Sequence, residues 1–119
     1  MDLTRSIEQL DGDDWGDAPE DATGLVKDVH RLRRVSIGDL SNGDLRMLLG
    51  QQVGLPWLIP IALERLNADP MAGDWYPGDL IRAVLHGGVD YWARDPEALM
   101  HLWSVRESLE KLRTDIAAV

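Results

Sequence analysis

Apolar residues recur at intervals of three and four along much of this chain, and that spacing limits the folds open to it. The clearest example follows Asp95, where Pro96 suits a first helical turn and Glu97 suits the positive end of a helix dipole. The apolar positions after this start are Leu99, Leu102, Val105, Leu109, Leu112 and Ile116. The pattern predicts one long amphipathic helix.

The same spacing predicts five further helices, each bounded by capping residues, proline or glycine. Their approximate ranges are 4–10, 22–33, 42–49, 55–67 and 77–87. Thr4 is the predicted cap of the first, and Gly87-Gly88 is predicted to end the last of the five in left-handed conformations. Pro60 leaves one boundary open, because a proline near a helix start either delays the regular helix or bends it.

No segment alternates apolar and polar residues cleanly, so a sheet has little support. We therefore expect an all-α fold, a compact single-domain bundle of about five to six helices. The 119 residues, 45% of them hydrophobic, suffice for one core and leave no room for a second domain. The single domain is expected to span 1–119, with an acidic N-terminal helix and loop in 1–21 and a helical core in 22–119.

The charge of the chain is concentrated at its N-terminal end. The formal net charge is −9, and residues 1–30 hold nine acidic and only two basic residues. Such a surface repels nucleic acid phosphates and attracts basic partners. With no cysteine, no long apolar run and no leader pattern, we expect a cytoplasmic protein that binds no membrane and no nucleic acid directly.

Motifs for catalysis or cofactor binding are missing from the sequence. His30, His86 and His101 lie on three different predicted helices, and none has a second metal ligand one turn away. The segment that begins at Asp11 faintly resembles a calcium loop, but its twelfth position is Ala22, so a plain solvated loop is favoured over weak calcium binding. We expect no enzyme, no cofactor, no metal site and no small-molecule substrate.

Two groups of aromatic and acidic residues are candidates for contact with a partner, since Trp anchors interfaces and acids select a basic surface. The first group is Asp13, Asp14, Trp15 and Asp17, and the second is Asp74, Trp75 and Asp79. For Trp15 an interface role is favoured over a core role. For Trp75 the preference is reversed, because this ring could close the core beside Pro77.

The middle of the chain, residues 22–92, resembles the immunity proteins of contact-dependent growth inhibition systems. The resemblance rests on Leu40-Ser41-Asn42-Gly43-Asp44-Leu45-Arg46, Gly50-Gln51, Gly54-Leu55, Leu58-Ile59-Pro60-Ile61-Ala62-Leu63, Leu66 and Trp75-Tyr76-Pro77-Gly78-Asp79-Leu80. The acidic segment 11–21 and the helix after Asp95 match no motif of that family.

The resemblance implies a small helical inhibitor that binds a cognate toxin in the bacterial cytoplasm and blocks its active site or its access to substrate. Toxins of these systems are frequently nucleases with basic clefts, which an acidic inhibitor suits. The alternative from the residues alone is an acidic helical adaptor or regulatory module that binds another cytoplasmic protein. A third hypothesis, a small metal-dependent enzyme that uses the Asp cluster, has less support.

Overall fold

The computed structural model describes residues 1–118 and confirms the all-α prediction. Within this range the chain forms six α-helices: α1 (Ile7–Asp11), α2 (Gly24–Leu32), α3 (Asn42–Gly50), α4 (Leu55–Ala68), α5 (Asp79–Gly87) and α6 (Pro96–Ala117). Two short 3-10 helices, Ile37–Asp39 and Trp92–Arg94, lie in the connections before α3 and α6. No helix of residues 1–118 is long and apolar enough to cross a membrane.

Side-chain caps set most of the helix starts. Ser41 accepts a hydrogen bond from the backbone N–H of Asp44, whose carboxylate accepts one from the N–H of Ser41 in return. Asp95 accepts from the N–H of Ala98 at the start of α6. The prediction that α1 starts at Thr4 was wrong, because Ser6 is its cap and the helix begins at Ile7.

Helix α1 begins later than predicted because residues 3–6 form backbone hydrogen bonds with the connection between α2 and α3. The backbone N–H of Ile37 donates to the carbonyl of Arg5, and that of Gly38 donates to the carbonyl of Leu3. Ser6 and Ser36 form an isolated antiparallel bridge. These bonds hold residues 3–6 in place, so the helix begins only after them.

Helix α4 lies at the centre of the core. Its residues Leu58, Ile59, Leu63 and Leu66 have no exposed surface, and the helix packs against α3, α5 and α6. The helix runs from Leu55 through Pro60 without a break. A single cluster of buried apolar residues draws on every helix from Ile7 in α1 to Val105 in α6.

Helices α3 and α5 pack closely where Gly87 meets α3. A Cβ atom at Gly87 would collide with the backbone carbonyl oxygen of Leu49. The predicted left-handed ending at Gly87-Gly88 was wrong, since Gly87 is the last residue of α5 and Gly88 has a φ of −91°. Glycine stands at position 87 because of this helix contact rather than for a turn.

The outer helices bury less of their apolar stripes than the sequence predicts. In α6 the residues Ala98 and Val105 are buried, whereas Leu99 is 37% and Ile116 is 65% exposed. Helix α6 is 22 residues long, and its residues after Leu112 are exposed. In α2 the residues Val29 and Leu32 are buried, whereas Leu25 is 42% and Val26 is 40% exposed.

Candidate partner-binding surfaces

The first candidate surface is the first acidic loop, residues 11–21, which a buried arginine attaches to α2. The side chain of Arg33 is 2% exposed, and its Nη1 lies 3.1 Å from a carboxylate oxygen of Asp11. Its Nη2 donates to the backbone carbonyl of Asp13 at 2.6 Å. The guanidinium also lies 4.0 Å from the ring centroid of Trp15. One buried cation therefore fixes three residues of the loop.

The neighbouring Arg34 is exposed and collects carboxylates on the outside of the same loop. It lies 2.9 Å from Asp17, 3.7 Å from Asp14 and 3.6 Å from Glu8. The hydrogen bond from Arg34 to Asp17 raises the pKa of the guanidinium. The pKa of Asp14 is lowered, first by a hydrogen bond from the backbone N–H of Gly16. Three carboxylates around one cation leave this patch negative.

Trp15 is 45% exposed and its ring is held from two sides. Besides the stacked Arg33, the ring meets His30 edge to face, with centroids 5.5 Å apart. The indole N–H donates to the carboxylate of Asp13 at 3.2 Å. The exposed part of the ring thus lies beside the carboxylate of Asp13, in the same loop as the exposed carboxylates of Asp14 and Asp17.

The second candidate surface is the Trp75 loop, residues 69–78, which joins α4 to α5. Trp75 is 75% exposed, so the preference for a core role was wrong. The guanidinium of Arg46, on α3, lies 3.9 Å from the ring centroid and supports one face of the indole. The other face of this large aromatic ring is open to solvent.

Asp79 organises the Trp75 loop from within. Its carboxylate accepts hydrogen bonds from the backbone N–H groups of Asp74 at 3.1 Å and Trp75 at 2.9 Å, and Arg46 Nε lies 3.8 Å away. Because Asp79 is only 2% exposed, direct contact of this carboxylate with a partner does not fit its burial. Asp79 positions Trp75, while Asp74 is exposed beside it.

The two surfaces are held by different helices. The first acidic loop is attached to α2 through Arg33 and Arg34, and the Trp75 loop is attached to α3 through Arg46. Neither Arg33 nor Arg34 was among the site residues predicted from the sequence. A signal for Arg33 was present, since it follows Val29 by four residues and continues the buried face of α2.

The weak calcium-loop pattern is not realised as a cation site. The Asp11 carboxylate, which would be the first ligand, is shared by Arg33 and by the indole N–H of Trp57 at 2.6 Å. Within residues 1–118, no three His, Asp or Glu side chains converge closely enough to hold a metal ion.

A family model described as CDI immunity proteins matches residues 9–102 of the chain. The match is wider than the resemblance in residues 22–92, since it includes the first acidic loop and the first turns of α6. No curated protein and no solved structure shows significant similarity to the chain.

Proposed function

We propose that this chain, which belongs to the family of CDI immunity proteins, binds the toxin of its own system in the cytoplasm and neutralises it. The family match over residues 9–102 is the observation that carries the proposal. Neutralisation occurs by covering the active site of the toxin or the path of its substrate. The inhibitor performs no chemistry on the toxin.

The toxin we propose is a nuclease with a basic substrate cleft. The support is electrostatic, because the first acidic loop presents the exposed carboxylate of Asp13 together with those of Asp14 and Asp17, which lie against the exposed guanidinium of Arg34. Nuclease clefts are basic since they bind phosphates, and a negative surface is attracted to them over several ångströms in dilute salt. The carboxylates then occupy the place of the phosphates.

Trp75 supplies the apolar anchor of the proposed interface. Binding energy at interfaces concentrates in a few large side chains, with Trp and Arg prominent among them. Trp75 stacks on Arg46 of α3 and lies on a loop that Asp79 fixes from within, so the ring is already placed for contact. Truncation of this ring is expected to raise the dissociation rate of the complex.

The first experiment is co-expression of the chain with the protein encoded immediately upstream. Rescue of cells from the toxicity of that protein, together with a complex that survives purification, supports the proposal and supplies the toxin. A harmless neighbour that does not bind returns the chain to the adaptor class.

The surface is then tested by reversing Asp13, Asp14 and Asp17 to Lys and measuring association kinetics with the purified toxin. We expect association to slow about tenfold or more at low salt and to lose most of its salt dependence. The matched control reverses Glu64, Glu107 and Asp115, which changes the net charge equally on other faces. Equal slowing by both variants would show that only net charge matters and would remove the loop from the interface.

A further inference from the structure

An apolar groove separates α5 from the first half of α6. Helix α5 packs mainly on α3 and α6 mainly on α4, so the two helices face each other across a cleft of about 300 Å³. Six apolar side chains line it: Ile81, Leu85, Leu99, Leu102, Trp103 and Leu109. The groove follows the direction of two helices and belongs to neither of the surfaces described above.

The walls of the groove leave large apolar side chains in water. Leu85 is 46% exposed, Leu99 is 37% exposed and Trp103 is 52% exposed. In a monomeric protein, contiguous exposure of this kind usually marks a binding site. Side chains spaced three and four residues apart on two helices form the type of groove that accepts the apolar face of a third helix.

The charge around the groove defines what that third helix carries. Arg106 is the one charged residue that lines it, and its guanidinium lies 4.7 Å from the ring centroid of Trp103. Arg82, one turn before Leu85 on α5, does not line the groove, and its Nη1 lies 3.5 Å from the hydroxyl oxygen of Tyr76. In the part of the chain that the structure describes, neither arginine has a carboxylate within 4.0 Å, and the nearby Glu110 pairs with Arg113. The groove therefore offers one cation, Arg106, to an occupant.

We propose that the α5–α6 groove binds an amphipathic helix of a protein partner whose apolar side chains are flanked by carboxylates. The apolar residues of that helix fill the cleft, and a carboxylate at its edge pairs with Arg106. This charge preference is opposite to that of the first acidic loop, which suits a basic partner. The proposal stands independently of the toxin, because its test uses the chain alone.

The probe is a synthetic amphipathic peptide of about five helical turns, with Leu on one face and Glu along both edges, titrated into the full chain by calorimetry. A matched peptide carries Lys in place of every Glu. The Glu peptide is expected to bind a few-fold more tightly than the Lys peptide at physiological salt, which screens the net negative charge of the chain, because Arg106 favours a carboxylate beside it. Arg106→Gln should weaken only the Glu peptide, by a few-fold.

Groove variants locate the binding. Leu99→Glu should weaken binding of the Glu peptide tenfold or more, as expected for a central anchor. Trp103→Ala is a milder change and should have an effect of the same size. Met100→Glu is the control, since Met100 is 73% exposed on the same helix and does not line the groove. Failure of both peptides to bind, equal affinities, or an equal effect of Met100→Glu would overturn the proposal. A dimer that Leu99→Glu dissociates would also overturn it, with a second copy as the occupant.

Discussion

Substitution of Gly87 by alanine tests the packing of α3 against α5. In an ordinary helix, alanine stabilises by about 1 kcal/mol relative to glycine. At Gly87 the new Cβ would collide with the carbonyl oxygen of Leu49, and a backbone carbonyl cannot rotate away as a side chain can. Overpacking of this kind costs about 1–3 kcal/mol, and the rigid obstacle places the cost at the upper end. The expected net effect is a destabilisation of about 2 kcal/mol.

Thermal and urea unfolding measure this change. For a chain of this size, 1 kcal/mol corresponds to about 3–5 °C in Tm, so Gly87→Ala should lower the Tm by about 6–10 °C. Gly50 gives the control, because it ends α3, has no positive φ and meets nothing within 4 Å of an added Cβ. Gly50→Ala should leave the Tm unchanged or raise it by a few degrees. If both substitutions raise the Tm alike, the close contact at Gly87 is refuted.

Three further substitutions test single interactions. Arg33→Ala should lower the free energy of unfolding in urea by about 3 kcal/mol, because it removes the buried partner of the first acidic loop. A decrease of less than about 0.5 kcal/mol contradicts that role. Asp79→Ala should lower the free energy of unfolding by about 2–3 kcal/mol, because it leaves two backbone N–H groups unpaired. NMR should also show that the Trp75 indole becomes mobile, and an indole signal that does not change refutes the positioning role of Asp79. The hydroxyl of Tyr91 donates a hydrogen bond to the carboxylate of Asp95 at 2.7 Å, and this bond lowers the pKa of Asp95. Burial of Tyr91, together with the same bond, raises the pKa of Tyr91 to about 12. The Tm should therefore fall as the pH drops below about 4 and as the pH rises from about 10 to 12. Tyr91→Phe should reduce both of these losses in a plot of Tm against pH, and an unchanged plot contradicts the coupling of the two residues.

The helices were predictable because their signals are local. The reciprocal hydrogen bonds of Ser41 and Asp44 at the start of α3 form between residues that are three positions apart. The cap of α6 is equally local, since Asp95 accepts from the N–H of Ala98. The start of α1 was not predictable by the same logic, since Thr4 and Ser6 are both good caps. The choice between them depends on backbone bonds to residues 36–38, which are distant in sequence.

The candidate site was predictable as composition but not as geometry. Acidic and aromatic clusters are visible in the sequence, yet Trp75 stacks on Arg46, which lies 29 positions earlier in the chain. The burial of Arg33 depends in the same way on the return of Asp11 and Asp13 to α2. The apolar stripe of α6 predicted a helix correctly, but it could not show that Leu99 would face an open groove.

The attachment of the first acidic loop by Arg33 and Arg34 has a consequence for the entropy of binding. A free loop of this length would lose backbone freedom worth about 1 kcal/mol or more per residue when a partner fixes it. Here buried and exposed ion pairs already order the loop when the chain folds. The affinity for a partner can therefore be changed by substitutions at Arg33 or Arg34 through loop order alone, even where neither arginine touches that partner.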